Sequence, residues 1–490
     1  MHFKEGKLIQ LLSEIDESEL KSLMKFVKSP YHNTNKLIIP LLQKIIAYHP
    51  DFDHKKLTKE HLYHFIHSEG KPYHEGRMNL LMTNLVSVIQ DFYMYQEFQK
   101  DKILQRRLKG KAYSNRNLYK NYKKEVEVVL DDLEKSPFRE EEYFFQRYDA
   151  EQKLFFHIET PKNHDGAIYL QNAMENLDLF YMTAKLNLAS EQITMTKRLN
   201  ISKEIIFLNP ILSHLEIRKN QPNVLGIYYK IIKLRIEENS INYYYEIKEK
   251  LSSCLNSIKL LSQKLIYFNL VNYGIGLLNQ GDKDILKELL ILYKFGISQN
   301  FIINNNTISP STYSNISLIS TNSGEFEWSL NFILEYEGYL PKGEIYFTKL
   351  MALAFLNYRK GFAEDDNHFS KTLELLREIT YSKKNIFLFL RSRLLWIRTS
   401  FEILKDDRSY HLTLLDYIKS FESQLKKDNV LSPERVQRYF SFILYVKKII
   451  KLLMKNNRSK EEVDKVLSEI ENQSNIALKN WFIEKLEEFH

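Results

Sequence analysis

A short apolar sequence that recurs at nearly regular intervals constrains the fold of this chain more than any other feature. The letters IYYK begin at Ile227, IYFN at Ile266, IYFT at Ile345 and IFLF at Ile386, and each opens an apolar run of helical length. The intervals are 39, 79 and 41 residues, so the middle one spans about two units and predicts a further start near residue 305. A period of about 40 residues is typical of stacked helical hairpins.

Turn-forming residues are scarce, which also favours helices. The 490 residues include only 14 Gly and 11 Pro, about 5 per cent against roughly 12 per cent in average proteins. Strand-rich folds need many tight turns, whereas helices joined by short polar links do not. We therefore expect an all-α fold, a solenoid of helical hairpins preceded by a small helical N-terminal domain.

The missing unit falls in a stretch that resembles a linker. Of the 26 residues in 299–324, 15 are Asn, Ser or Thr and none is charged. The period favours instead a degraded repeat over 299–340, in which Ser309 caps a helix, Pro310 is its first residue and Ile319 lies near its end. A second helix is then expected from about Gly324 to Tyr339.

Two of the units resemble tetratricopeptide repeats. In LVNYGIGLLNQGD and KLMALAFLNYRKG, a small residue (Gly274 or Ala354) precedes a glycine (Gly281 or Gly361) by seven positions. In that family the small residue lets the paired helices pack closely, and the glycine marks the turn. The resemblance covers 223–427; the other two units lack both residues, the period exceeds the family's 34, and the usual proline after the second helix is missing.

A second resemblance concerns the fold alone. KFVKSPYHN near the start and FEWSLNFILEYEGYLP further on are similar to a group of bacterial helical-repeat proteins of unassigned activity. Along the chain we expect a helical N-terminal domain, a basic segment with long helices, degenerate repeats and C-terminal capping helices. The expected bounds are 1–99, 100–222, 223–427 and 428–490.

Start and stop signals predict the N-terminal helices. Asp16 and Glu19 match a capping box, and Pro30 ends that helix. Further helices are expected over 35–48, which Pro40 kinks or shortens, and over 58–67 and 74–98.

The histidines of EHLYHFIH lie at His61, His64 and His67. Steps of three residues spread them over an arc of roughly 120° on a helix, beside the apolar arc of Leu62, Phe65 and Ile66. A metal needs converging ligands. We therefore interpret the stretch as a helix capped by Thr58 with its histidines on the solvent margin. His61 and His64 are weak metal candidates, and no metal or other cofactor is expected.

Basic charge is concentrated in one segment. Residues 100–124 hold ten Lys or Arg and one acid, a net charge of +9, whereas the whole chain carries +8. With Tyr113, Tyr119 and Tyr122 interleaved, such a segment could follow a phosphate backbone and stack bases. The alternative is a solvated helix face, or one paired with the acidic stretch 125–142. The candidate polyanion-binding residues are Lys100, Lys102, Arg106, Arg107, Lys109, Lys111, Arg116 and Lys120.

The sequence patterns that suggest a catalytic site are incomplete. The glycines of 274–281 follow no strand and carry no Lys-Ser or Lys-Thr, so they do not form a phosphate loop. His164 and Asp165 resemble the metal-binding His-Asp pair of helical phosphohydrolases, but they lie in a Pro- and Asn-rich turn, where Asp or Asn also serves as a helix cap. Cys254 has no adjacent basic group and is interpreted as a buried structural cysteine. No catalytic residue is expected.

These observations predict a non-catalytic interaction scaffold. No secretory signal, disulfide pair or membrane-length apolar stretch is present, which favours a cytoplasmic protein without membrane contact. Solenoids usually bind a partner peptide or helix on their concave face. The alternative function is a regulatory protein that binds nucleic acid or another polyanion through 100–124.

Overall fold

The computed structural model is all-α. It describes residues 5–67, 72–158, 160, 163–199, 204–218, 221–237, 240–380, 386–427, 431–455 and 459–489. These residues form 23 α-helices and no β-strand, apart from one isolated bridge between Asn304 and Thr307. The all-α prediction is confirmed. The chain divides into two compact units, Met1–Gly226 and Ile227–His490.

The first five helices form the N-terminal part of the first unit. They are α1 (Lys7–Ser13), α2 (Glu17–Lys28), α3 (Ile38–Ile46), α4 (Lys59–Ile66) and α5 (Glu75–Lys100). The capping box of Asp16 and Glu19 is confirmed, and α2 ends before Pro30. Helix α3 is shorter than predicted, because Pro40 is tolerated only in its first turn. Their apolar faces share one core around Leu23, Leu42 and Leu85.

Two helical pairs and a short helix complete this unit. They are α6 (Lys102–Ser114), α7 (Tyr119–Lys135), α8 (Glu141–Phe155), α9 (His164–Leu199) and α10 (Leu208–Ile217). Helix α6 packs against α7, and α8 packs along α9. Helix α10 contacts α9, so the 36-residue α9 packs against both α8 and α10.

The next ten helices cover the predicted repeat region. They are α11 (Asn223–Ile236), α12 (Ile241–Ser253), α13 (Leu260–Asn279), α14 (Ile285–Ser298), α15 (Pro310–Asn322), α16 (Phe326–Tyr336), α17 (Ile345–Ala363), α18 (Asn367–Arg377), α19 (Ile386–Asp406) and α20 (His411–Lys427). Ile345 and Ile386 are the first residues of their helices, while Ile227 and Ile266 lie inside α11 and α13.

Neighbouring helices in this region pack in pairs. Helices α13 and α14, α15 and α16, α17 and α18, and α19 and α20 are in contact, and α15 and α17 each also contact the first helix of the next pair. Every recurring apolar sequence lies in an odd-numbered helix. The recurring sequence therefore marks the first helix of three of these four pairs, namely α13, α17 and α19.

The Asn- and Ser-rich stretch is helical where the period requires it. Ser309 caps α15 by accepting a hydrogen bond from the Thr312 amide, and Pro310 is the first helical residue. Helix α15 runs three residues past the predicted end at Ile319, and α16 ends at Tyr336, where a short 3₁₀ turn follows. Both helices of the degraded unit are thus confirmed.

Three helices end the chain: α21 (Pro433–Met454), α22 (Lys460–Glu471) and α23 (Lys479–Glu487). Ser459 caps α22 by accepting a hydrogen bond from the Glu462 amide. Trp481 and Phe482 of α23 are buried in a core that also contains Phe401 of α19 and Phe442 of α21. The C-terminal helices therefore cover apolar surface of the preceding helices.

Candidate functional site

An apolar cleft opens in the second unit across three odd-numbered helices. It has a volume of about 150 Å³ and is walled by α15, α17 and α19, with Leu478 before α23 at one end. Helix α15 contacts α17, and α17 contacts α19, so consecutive helix pairs supply the walls. The half-buried apolar side chains that line this cleft, hereafter the groove, are Leu318, Met351, Phe355, Leu388 and Leu478.

Two arginines of α19 border the groove. Arg391 is exposed and Arg398 is half-buried, and their spacing of seven places both on one helix face. The Arg398 guanidinium lies 4.8 Å from the Tyr358 ring centroid and 5.9 Å from that of Trp481, so aromatic rings hold it in place. None of the described residues that line the groove is acidic.

More positive charge lies next to Arg391. Burial raises the pKa of the Tyr439 phenol, and the positive charges of Arg438, Arg391 and Arg435 act in the opposite direction, which places all three guanidinium groups near that ring. Arg435 also stands 5.0 Å from the Phe387 ring centroid. No ion pair to Arg391, Arg435 or Arg438 occurs in the part of the chain that the structure describes. One end of the groove is therefore electropositive.

Three of the four small residues named from the sequence lie at helix contacts, and the fourth, Gly281, lies at a turn. A Cβ on Gly274 would stand 2.7 Å from Leu289 of α14, and Gly281 follows α13 with φ of +102°. Ala354 is fully buried, and its carbonyl accepts a hydrogen bond from Thr372 of α18. The expected turn position of Gly361 is wrong: this residue lies inside α17, where a Cβ would meet Phe369 at 2.4 Å.

The candidate polyanion-binding residues form two groups. Arg106 pairs with Asp132 at 2.9 Å and with Glu125 at 3.3 Å, Arg107 pairs with Asp149 at 3.2 Å, and exposed Lys100 pairs with Glu97. The acidic partners of both arginines lie on α7 and α8. The remaining five are exposed and form no ion pair among the described residues: Lys102, Lys109, Lys111, Arg116 and Lys120.

The paired arginines border a cleft of about 340 Å³ between α6, α7 and α8. Its lining mixes cations with Glu125 and Asp149 and includes Tyr122, which is half-buried. A second space of similar volume adjoins it, beside Tyr119, Phe156 and Ile158. Aromatic and apolar side chains therefore lie next to the unpaired cations.

The three histidines lie at the boundary between buried and exposed surface. His61, His64 and His67 are half-buried, and His67 packs against the Tyr63 ring, 4.4 Å between centroids. The predicted apolar arc is wrong in one position, since Phe65 is 51% exposed while Tyr63 is buried. Thr58 caps α4 as predicted. The described residues contain no group of three His, Cys, Asp or Glu side chains arranged to hold a metal ion.

Cys254 and His164 have ordinary structural surroundings. Cys254 is half-buried and follows the last residue of α12, so the prediction of a buried cysteine is wrong. His164 begins α9, and the side chain of Asn163 caps that helix by accepting a hydrogen bond from the Gly166 amide. No helix among the described residues is long and apolar enough to cross a membrane.

Comparison of the chain with protein-family models, with curated proteins and with solved structures finds no match.

Proposed function

We propose that this chain is a non-catalytic protein-interaction scaffold, in which residues 223–427 form a TPR-like solenoid whose groove binds a peptide or helix of a partner. The observation that carries the proposal is the groove, because its walls come from three consecutive helix pairs. Contacts between first helices of neighbouring pairs are what stacked hairpins require. A recess lined by Leu, Met and Phe side chains accepts apolar anchors of a helix at steps of three and four residues.

The charge beside the groove specifies the partner. Arg391 and Arg398 are not balanced by acidic lining residues, and Arg435 and Arg438 extend the positive region. A partner that buries apolar side chains here gains by placing Glu or Asp next to these arginines. The proposed ligand is therefore an amphipathic helix with an acidic polar face.

Two synthetic peptides test this. Both are helical and carry Leu at steps of three and four; one has Glu and the other Lys at the remaining positions. Fluorescence anisotropy should show binding of the Glu peptide only. Arg391→Glu should weaken that binding by about tenfold or more, equivalent to about 1.4 kcal/mol, and should improve binding of the Lys peptide. Arg391 is exposed, so this variant should fold normally.

The matched control is Arg377→Glu, an exposed arginine at the end of α18 that does not line the groove. Phe355→Ser removes an apolar side chain from the wall of the groove. It should weaken binding of the Glu peptide, as Arg391→Glu does. Equal affinity of the two peptides, or equal effects at positions 391 and 377, would contradict the proposal.

A second candidate function rests on the five unpaired cations of α6, α7 and the loop between them. Exposed Lys102, Lys109, Lys111, Arg116 and Lys120 lie on the same helical hairpin as Tyr119, which is 37% exposed. This is the combination that binds single-stranded nucleic acid through phosphate contacts and stacking. Arg106 and Arg107 are less suitable, since their acidic partners reduce the charge that they offer to a ligand.

A gel shift with single-stranded DNA separates this function from the scaffold. Replacing Lys109, Lys111, Arg116 and Lys120 by Glu should abolish a complex that also weakens steeply with salt. The control carries the same charge change at four exposed lysines of the N-terminal part, Lys21 and Lys25 of α2 and Lys55 and Lys56 before α4. Retention of the complex by the first variant, or its loss from both, would refute specific use of the basic segment.

A further inference from the structure

Helix α9 carries an apolar stripe that the rest of the described chain leaves uncovered. The helix packs along α8, and its buried residues include Ala173, Leu179 and Leu186. A different set recurs at alternating steps of three and four residues and is exposed or, at Ala184, half-buried. These nine positions, hereafter the seam, are Ala167, Leu170, Met174, Leu177, Tyr181, Ala184, Leu188, Glu191 and Met195.

The spacing of the seam is that of a coiled coil. Eight of its nine positions are apolar, and alternation of three and four residues is the heptad pattern of a and d positions. From residue 167 to 195 the seam is about 42 Å long at 1.5 Å per residue. In a monomer, the solvent-facing side of a surface helix usually carries polar and charged residues instead of an apolar stripe.

The exposed area is large enough for an interface. The six larger apolar side chains of the seam are between 39% and 69% exposed. Together they present apolar area on the order of 600 Å², close to the roughly 800 Å² that each partner contributes to a standard interface. Contiguous apolar patches of this size on a soluble protein usually mark a binding surface.

We propose that the seam pairs with the seam of a second copy of this chain, antiparallel, to form a two-fold symmetric dimer. In the antiparallel register that aligns a with d positions, Leu177 faces Leu188, Leu170 faces Met195, and Tyr181 faces Ala184 of the other copy. In this register the large side chains of one copy pack against apolar side chains of the other, and Tyr181 packs against the small Ala184. A parallel pair would instead place Tyr181 on Tyr181 and the Glu191 carboxylates on each other.

Charges beside the seam fit the same register. Asp178 and Lys185 flank it, and no ion pair to either occurs within the described residues. In the antiparallel pair each Asp178 lies next to Lys185 of the second copy. Glu191, the one charged seam residue, meets Met174, whose neighbours in the cleft between α9 and α10 are His214 and Arg218. Arg218 already pairs with Glu175 at 3.1 Å, so Glu191 completes a charge cluster there.

Sedimentation velocity of the full-length chain tests the dimer. The native protein should be dimeric, and Leu177→Glu should raise the dissociation constant at least about tenfold, since one charge then enters the apolar seam of each copy. The matched control is Ile168→Glu, which changes an exposed apolar residue of the same helix outside the seam and should leave the dimer intact. Circular dichroism checks that both variants keep native helix content.

Exchanging the charges of Asp178 and Lys185 tests whether the seam binds a second copy of the chain. Lys185→Asp should weaken the dimer, and adding Asp178→Lys should restore it, because the exchanged pair forms again across the two-fold axis. Disulfide trapping fixes the direction: in a Cys254→Ser background, chains with Leu170→Cys should cross-link to chains with Met195→Cys but not to themselves. Two copies of residue 170 would lie about 37 Å apart along the antiparallel pair.

A native chain that remains monomeric, or a dimer that survives Leu177→Glu, would overturn the proposal. Self-cross-linking of the Leu170→Cys chain would overturn the antiparallel register.

Discussion

The ring of Tyr267 on α13 lies directly against the backbone of Gly296 on α14, where a Cβ would stand 2.3 Å from both Cζ and the phenolic oxygen. Gly296→Ala should therefore destabilise the protein by about 2 kcal/mol, the usual effect of overpacking a core contact. Gly276→Ala is the control, since a Cβ there meets nothing within 4 Å, and it should stabilise α13 by about 1 kcal/mol through helix propensity. Urea denaturation followed by circular dichroism measures both; similar midpoints would disprove the close contact.

The phenol of Tyr267 is buried and has no hydrogen-bond partner among the described residues, whereas that of Tyr313 donates to the Ile333 carbonyl at 2.7 Å. Tyr267→Phe removes a hydroxyl that folding desolvates without compensation, so we expect no loss of stability or a gain of about 1 kcal/mol. Tyr313→Phe leaves the carbonyl without that partner and should cost about 1 kcal/mol. Thermal unfolding of the two variants should shift in opposite directions, and a parallel loss would contradict the assignment.

Local signals in the sequence predicted helix ends well. Ser309 with Pro310, Asp16 with Glu19, and Thr58 each identified a helix start, because a cap depends on residues within one turn. The repeated apolar sequence also located the paired helices, including the pair hidden in the Asn- and Ser-rich stretch.

Contacts between distant residues were not predictable in this way. The groove joins side chains of α15, α17 and α19 that are separated by dozens of residues, and which face of each helix is turned inward depends on packing. The same limit explains the wrong prediction for α4: the helical period alone does not decide which of Tyr63 and Phe65 is buried. The positive charge of residues 100–124 was evident from the sequence. The ion pairs of Arg106 and Arg107 were not, because they depend on how α6, α7 and α8 pack.

The side chains of Lys485 and Glu402 form an ion pair at 2.9 Å and are only 7% and 4% exposed. Lys485→Met should lower the free energy of unfolding by about 2 kcal/mol, because the buried Glu402 carboxylate loses one of its two cationic partners. The other partner, Lys405 at 2.8 Å, remains. Lys485→Met combined with Glu402→Leu should recover most of this loss. The control, Lys419→Met, breaks an exposed pair with Asp416 and should change stability by less than about 0.5 kcal/mol. Urea midpoints distinguish these cases; an unrecovered loss in the double variant would show that the ion pair itself stabilises the contact.

Glu151 on α8 is a buried carboxylate whose charge opposes folding. Burial raises its pKa above the ordinary value of 4.5, and the charge of Arg147 and a hydrogen bond from Asn172 offset this only in part. Because the folded state binds the proton more tightly, the contribution of Glu151 to stability is favourable at low pH and falls as pH rises from 4.5 through the folded pKa.

Glu151→Gln removes that charge and keeps an acceptor for Asn172, while Arg147 retains Glu134 at 2.6 Å. The variant should therefore unfold at a higher temperature than the native chain at pH 7, and the difference should shrink towards pH 4. A variant that is less stable at pH 7 would mean that the pairing of Glu151 with Arg147 outweighs its desolvation.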